Sequence, residues 1–155
     1  MWMSEKEMVV RHIIQSGKTV AVAESCTGGM LSAAITDVAG VSSVFLEGVV
    51  TYANAAKVRL GVQEETLAKH GAVSRETAAE MAVAVRKRSG ADIGISTTGI
   101  AGPGGGRRQK PVGLVYVGIS YAGGTAVATL RLGGNRETIR KKTVAMVFKL
   151  VKEII

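Results

Sequence analysis

The chain has 155 residues, of which 46% are hydrophobic and 4% aromatic, and it carries a formal net charge of +8. This length suits one domain with a core of its own. A single cysteine excludes an intramolecular disulfide, and two histidines without a Cys/His cluster argue against a metal centre. No apolar run reaches the roughly 20 residues that span a bilayer, and the N-terminus lacks the apolar core of a signal peptide. We therefore expect a cytoplasmic protein without a metal, a cofactor or a membrane partner.

Helical and extended patterns alternate along most of the chain. Ser4 and Glu7 fit a capping box at the start of the first helix, and the glycines of 122–124 indicate a hairpin between the last two strands. In chain order, these patterns predict a helix between Ser4 and Gly17, a strand over 18–24, a helix over 28–38, a helical turn over 42–46, a strand over 47–53, short helices over 54–61 and 64–69, a helix over 75–89, strands over 92–98, 112–121 and 125–132, and a helix from 136 to the end.

This order predicts an α/β fold. Strand–helix alternation followed by a hairpin is typical of three layers, with a mixed, mainly parallel sheet between helices, and we expect one domain over 1–155 that ends in a long helix. Three polar segments, 25–29, 52–57 and 98–106, each follow or end a predicted strand. Ligands of parallel α/β sheets bind beyond the carboxyl ends of the strands, so we expect these segments to form one site.

The first polar segment offers two nucleophiles, Ser25 and Cys26, between a strand and the start of a helix. Backbone N–H groups at such a junction stabilise negative charge, so Thr27 and Gly28 are candidate donors to an oxyanion. A serine at a helix start is also a common N-cap, and a small buried cysteine usually only packs. Both of these structural interpretations remain open on the residues alone.

A serine nucleophile needs a base, and neither histidine is placed to serve. His12 falls in the first predicted helix and His70 at a helix end away from the strand ends. Lys57 opens a helix just past the second strand, where partial burial would make it a base. Tyr52 at the end of that strand could relay the proton or hold the substrate. Alternatively, Tyr52 is a packed aromatic residue and Lys57 a solvated charge.

Two further elements could bind an anion. The glycine-rich stretch 99–106 offers close backbone approach to a phosphate or carboxylate, although it matches neither a P-loop nor a dinucleotide motif, and a flexible turn explains it equally well. Arg136 and Arg140 share one face of the last helix and could clamp a phosphate. A solvated helix face is the alternative for this arginine pair.

The positive charge also raises the possibility of nucleic-acid binding. The cations lie at predicted helix ends or in loops, and no aromatic residues are interleaved with them as stacking platforms. A small anionic ligand explains part of the charge more simply, and we consider nucleic acid an unlikely partner. The basic groups are Arg86-Lys87-Arg88, Arg107-Arg108-Lys110 and Arg136/Arg140-Lys141-Lys142.

At these residues the sequence closely resembles the CinA C-terminal domain family, whose members include nicotinamide mononucleotide deamidases. The likeness covers nearly the whole chain and four separate motifs in order. The motifs are Ala23-Glu24-Ser25-Cys26-Thr27-Gly28-Gly29, Val50-Thr51-Tyr52-Ala53-Asn54-Ala55-Ala56-Lys57, Thr98-Gly99-Ile100-Ala101-Gly102-Pro103-Gly104-Gly105 and Lys110-Pro111-Val112-Gly113.

The resemblance implies hydrolysis of the carboxamide of nicotinamide mononucleotide, without a metal, to nicotinate mononucleotide and ammonia. It also implies a homo-oligomer. It matches the family's serine, tyrosine and lysine to Ser25, Tyr52 and Lys57. Asn54 is also a good N-cap for the short helix that carries Lys57. The predicted substrate-binding residues are Asn54, Thr98 (or its neighbour Thr97), Gly102, Gly104, Gly105 and Arg140.

The chain departs from the family pattern at Ala53, where the family usually has serine, and at Asn135, where it usually has aspartate. Many relatives also carry a large N-terminal pyrophosphatase domain, which we do not expect in this chain. The sequence thus predicts a deamidase that uses Ser25 as nucleophile and Lys57 as base. A non-catalytic nucleotide-binding or regulatory module is the alternative, followed by a nucleic-acid-binding protein.

Overall fold

The computed structural model describes residues 2–155, and within them one sheet of five strands lies among six α-helices. No helix in this range combines the length and the apolar character needed to cross a bilayer. The elements are α1 (Glu5–Ser16), β1 (Val20–Glu24), α2 (Met30–Thr36), a 3-10 turn (Val41–Ser43), β2 (Phe45–Val50), α3 (Asn54–Leu60), α4 (Glu64–His70), α5 (Arg75–Ser89), β3 (Ile93–Gly99), β4 (Leu114–Tyr121), β5 (Gly124–Arg131) and α6 (Arg136–Ile154).

The strands follow the order β2-β1-β3-β4-β5. β1 pairs in parallel with both β2 and β3, whereas β4 runs antiparallel to β3 and to β5. Only β4 therefore runs against the other four strands, which agrees with the predicted mixed sheet and its C-terminal hairpin. The carboxyl ends of β1, β2 and β3 meet at one edge of the sheet, where the three polar segments begin.

Helices cover both faces of the sheet. The side chains of the inner strand β1 alternate between two apolar clusters, one on each face. Val20 and Val22 of β1 pack with α1, α2 and α6, whereas Ala21 and Ala23 pack with α3 and α5. Small alanines on the second face let α5 lie close to the sheet. The predicted three-layer α/β fold is confirmed.

The second strand differs from its prediction. It begins at Phe45, where the sequence suggested a helical turn, and it ends at Val50 rather than Ala53. Phe45 is drawn into the sheet because it pairs with Val20. The N-cap of α3 is Ala53, which makes no side-chain cap bond, and Asn54 is the first residue of that helix. The prediction of Asn54 as the cap is therefore wrong.

α5 approaches the sheet closely at two glycines. A Cβ atom at Gly94 of β3 would lie 2.3 Å from the carbonyl oxygen of Ala82, and one at Gly118 of β4 would lie 2.5 Å from that of Ala78. Both obstacles are backbone atoms of α5, which cannot move aside without shifting the helix. The contact between α5 and the sheet thus depends on two positions without a side chain.

We predict that Gly94→Ala lowers the free energy of unfolding by about 1–3 kcal/mol, because the added methyl overpacks the α5 contact. Urea unfolding measures the change. Gly133→Ala is the matched control, since a Cβ at Gly133 meets no atom within 4 Å and the residue does not have a positive φ. Equal stability of the two variants would contradict this account of the packing.

Candidate active site

Ser25 is held at the carboxyl end of β1 by the sheet itself. Its N–H donates to the carbonyl oxygen of Thr97 over 2.9 Å, which extends the β1–β3 ladder by one residue. Its side chain points to the α3 face, opposite to that of Glu24, and the residue is 9% exposed. A rigid strand therefore positions this hydroxyl, and a small opening leaves it accessible.

Lys57 reaches the same point from the first turn of α3. Its Nζ lies 3.0 Å from Ser25 Oγ, 2.7 Å from the carbonyl oxygen of Thr51 and 2.9 Å from that of Tyr52. The residue is 1% exposed, and within residues 2–155 no carboxylate forms an ion pair with it. The structure thus brings together the two residues predicted as nucleophile and base.

Burial without a counter-ion favours loss of a proton from the Lys57 amine. Desolvation lowers the pKa of Lys57 from its ordinary value of 10.5, because the charged form loses its hydration. A neutral amine has two hydrogens and one lone pair. The carbonyl oxygens of Thr51 and Tyr52 can only accept, so they take the two hydrogens and leave the lone pair facing Ser25. This arrangement suits removal of the Ser25 proton.

Cys26 does not compete as a nucleophile. Its side chain is buried in the apolar cluster beside α6, and burial raises the pKa of the thiol to about 12. A thiol with that pKa carries almost no thiolate at neutral pH, and the thiolate is the reactive form. Cys26 is therefore a packing residue, as one of the two interpretations of the sequence held.

The turn after Ser25 is organised by the buried carboxylate of Glu24. Its two oxygens accept from the backbone N–H groups of Leu31 and Ser32 at 2.8 and 2.9 Å, and from the hydroxyls of Thr27 and Ser32. The protein's own carboxylate thus occupies the start of α2, where the sequence suggested an external anion. A glutamate seven residues before its partner is not a recognised capping pattern, so sequence reasoning missed this role.

The two predicted oxyanion donors have different fates. The N–H of Gly28 donates to the carbonyl oxygen of Ser25 at 3.0 Å and closes the turn, so its prediction as a free donor is wrong. The N–H of Thr27 makes no hydrogen bond within residues 2–155. Of the two predicted donors, only Thr27 thus keeps an N–H without an acceptor in these residues, and the residue is fully buried at the turn.

Tyr52 faces Arg136 rather than the Ser25–Lys57 pair. Its side chain is exposed, at 58%, and its hydroxyl accepts from Arg136 at 3.0 Å. Lys57 contacts Ser25 directly and uses only the backbone oxygen of Tyr52. The structure therefore does not support a proton relay through the Tyr52 phenol, but it leaves the ring open to a ligand at the same edge.

The two arginines of α6 close this edge of the sheet. Arg136 donates to the carbonyl oxygen of Gly102 at 2.8 Å, and Arg140 donates to those of Cys26 and Thr27 at 3.1 and 3.0 Å. The last helix is thereby tied to both the nucleophile turn and the glycine stretch. The three polar segments lie at one site together with the predicted arginine face.

The remaining predicted substrate residues divide into two groups. Thr98 is 1% exposed and donates to the carbonyl oxygen of Ala72 at 2.7 Å, so it anchors the α4–α5 connection and its prediction as a substrate contact is wrong. Its neighbour Thr97 is buried against the hydroxyl of Thr27. The predicted substrate residues that are exposed in the structure are Asn54, Gly104 and Gly105.

The side chains described at this edge do not form a cluster of metal ligands. Within residues 2–155, no three His, Cys, Asp or Glu side chains gather as metal ligands would. The chemistry of the site is that of a serine, a buried amine, two guanidinium groups and backbone N–H groups.

Comparisons with known proteins agree on one family. The profile described as CinA C-terminal domain matches residues 3–155. A CinA-like protein from Kosmotoga olearia is 53% identical over 150 residues, which cover 96% of this chain and 36% of that protein. The chain thus spans about a third of the length of the curated relatives it matches.

Solved structures share the fold over their whole length. The competence/damage inducible protein CihA from Agrobacterium tumefaciens is 42% identical, with a TM-score of 0.91 over 99% of this chain and 97% of that one. A competence-damaged protein (CinA) superfamily protein from Enterobacter cloacae is 32% identical, with a TM-score of 0.91 over 100% and 95% of the two chains. The fold described above is therefore the fold of these proteins.

The lowered pKa of Lys57 predicts a pH-dependent difference in stability between the wild type and Lys57→Met. The unfolded chain binds a proton at Lys57 up to about pH 10.5 whereas the folded protein releases it at lower pH, so wild-type stability rises with pH through that interval. The variant lacks this gain. Its free energy of unfolding minus that of the wild type should fall as pH rises, by about 1.4 kcal/mol for each unit between the two pKa values.

Urea unfolding at a series of pH values from about 6 to about 10 measures this difference. Lys18→Met, at an exposed lysine, is the control and should follow the wild type throughout. Parallel curves for Lys57→Met and the wild type would contradict a neutral buried amine.

Proposed function

The chain belongs to the CinA C-terminal domain family, and we propose that it is a metal-independent amidohydrolase that converts nicotinamide mononucleotide to nicotinate mononucleotide and ammonia. One observation carries the proposal: a buried lysine without a counter-ion lies 3.0 Å from a serine at the carboxyl end of a central strand. Such a lysine is costly to a fold, and activation of a nucleophile gives it a purpose.

In the first half of the reaction, Ser25 Oγ attacks the carboxamide carbon while its proton moves to Lys57 Nζ. The carbonyl π electrons move to the oxygen, which becomes an oxyanion and accepts from the Thr27 N–H, a donor without an acceptor within residues 2–155. Lys57 then gives its proton to the amide nitrogen. The C–N bond breaks, ammonia leaves, and the acyl group stays on Ser25 as an ester.

Charge and shape support a nucleotide substrate. Arg140 uses Nε and Nη2 on backbone oxygens and Arg136 uses Nη1 and Nη2, so each guanidinium keeps N–H groups for a phosphate. The exposed backbone of Gly104 and Gly105 lies on the loop that Arg136 anchors at Gly102. The exposed ring of Tyr52 offers an aromatic face to the pyridine at the same edge.

The two other functions suggested by the sequence have less support. A binding module that never turns over has no use for a buried lysine without a counter-ion beside a serine. Nucleic-acid binding needs free cations, but Arg86 donates to the carbonyl oxygens of Asp92 and Tyr121, and Arg88 pairs with Glu47 at 3.3 Å. Two of the three cations in the basic run 86–88 of α5 are thus engaged within the fold.

The direct test is formation of ammonia and nicotinate mononucleotide from nicotinamide mononucleotide, with a chelator present. Ser25→Ala and Lys57→Met should each lower kcat at least about 1000-fold, because each removes one half of the nucleophile–base pair. Cys26→Ser should keep most of the activity, since the thiol is buried and protonated. Absence of product from the wild type, or full activity in Ser25→Ala, would refute the proposal.

Arg136→Gln tests recognition of the phosphate. We expect KM for the mononucleotide to rise about 10- to 100-fold, as loss of a charged hydrogen bond predicts. The same variant should act on nicotinamide riboside, which lacks the phosphate, about as well as the wild type does. An equal loss on both substrates would show that Arg136 acts only by tethering Tyr52 and Gly102.

A further inference from the structure

Thr51 carries a buried hydroxyl that the fold does not use. The residue follows β2 and is 5% exposed, and among residues 2–155 its Oγ1 is the one buried side-chain oxygen or nitrogen without a hydrogen-bond partner. Burial of an unpaired hydroxyl destabilises a protein, and a valine of the same shape would avoid that penalty. A threonine at this position therefore points to a partner from outside the chain.

The sheet places this hydroxyl beside the nucleophile. Glu24 pairs with Val50 in the β1–β2 register, and the N–H of Thr51 donates to the carbonyl oxygen of Glu24 at 2.8 Å. Ser25 and Thr51 thus directly follow the last pair of this ladder, at the ends of neighbouring strands that lie about 4.8 Å apart. They are adjacent at the carboxyl end of the sheet.

The side chains of Ser25 and Thr51 lie on the same face. Along β2, Glu47 pairs with Arg88 of α5 and Val49 packs in the α5 cluster, whereas Val50 contacts the Gly29 side of the sheet. Alternation then directs Thr51 to the α3–α5 face, where Lys57 meets Ser25. Lys57 Nζ also donates to the Thr51 carbonyl oxygen at 2.7 Å, so the residue that carries the orphan hydroxyl borders the reacting pair through its backbone.

We propose that Thr51 is a further catalytic residue, whose hydroxyl binds the water that hydrolyses the acyl-enzyme on Ser25. This inference rests on the proposed function. The hydroxyl is shut off from the surface, so a small partner such as water suits it better than a pyridine ring does. Once Ser25 is acylated, its proton no longer occupies the lone pair of Lys57, and a water held by Thr51 can take that place.

In this second half of the reaction, the water oxygen bonds to the acyl carbon while one of its protons moves to Lys57 Nζ. The ester bond between that carbon and Ser25 Oγ then breaks, and the proton passes from Lys57 to Ser25 Oγ. The other water proton leaves with the carboxylic acid product, which ionises in solvent. Serine and neutral lysine are restored, and Thr51 changes neither its protons nor its bonds.

The experiment separates the two halves of the reaction in Thr51→Val by rapid quenching with nicotinamide mononucleotide. We expect a fast release of about one ammonia per chain, followed by a steady rate about 10- to 100-fold below that of the wild type. Intact mass should show the acyl group on Ser25 accumulating. Thr51→Ser, which keeps the hydroxyl, should recover most of the turnover that Thr51→Val loses and should accumulate less acyl-enzyme than Thr51→Val.

Added hydroxylamine provides a second readout. It attacks the ester without help from Thr51, so it should restore turnover of Thr51→Val, with a hydroxamate as the product. The thermal midpoint of Thr51→Val should not fall below that of the wild type, because the hydroxyl has no partner in the fold. Thr51→Ala should give the same accumulation of acyl-enzyme, and it replaces the valine variant if that variant misfolds.

Two outcomes would overturn the role of Thr51 while leaving the proposed function intact. Unchanged turnover in Thr51→Val would show that the hydroxyl is idle. Slowing of the first ammonia release, without acyl-enzyme, would show that it contacts the carboxamide rather than the water. Absence of ammonia from the wild type would instead refute the proposed function itself.

Discussion

The site depends on one costly interaction, the burial of the Lys57 amine among neutral oxygens. Among residues 2–155 no carboxylate compensates it, and desolvation lowers the pKa of the amine, which favours its neutral form. The two carbonyl groups that take its hydrogens belong to Thr51 and Tyr52, directly after β2. The need for these two acceptors explains why β2 ends at Val50, because the carbonyl groups turn toward α3 instead of continuing a strand.

The β1 strand separates two different tasks on its two faces. Glu24 directs its carboxylate to the α2 side and fixes the turn, whereas Ser25, one residue later, directs its hydroxyl to the α3 side. The buried carboxylate and the buried amine therefore do not meet as an ion pair, although they come from neighbouring strands and helices. Alternation along a single strand keeps the Lys57 amine apart from the Glu24 carboxylate and leaves that carboxylate to anchor the turn.

The sequence predicted the position of a residue best where the end of a strand or the start of a helix determines that position. The end of a parallel strand fixes an edge, so Ser25 and Lys57 could be placed together before the structure was known. Thr98 could not be assigned, because its orientation depends on the register of β3 and on a carbonyl oxygen 26 residues away. Thr51 gave no signal, since a threonine beside a strand is ordinary until its hydroxyl is seen without a partner.

The Glu24 carboxylate at the start of α2 has a consequence for how such a site can diversify. With the helix N-terminus already filled, the recognition of an anionic substrate that we propose falls to Arg136 and Arg140, more than a hundred residues along the chain from Ser25. Under the proposed function, bond cleavage and substrate choice are inherited on separate segments. Changes in α6 or the glycine loop would then alter which amide is accepted, while the serine and its lysine stay in register on the sheet.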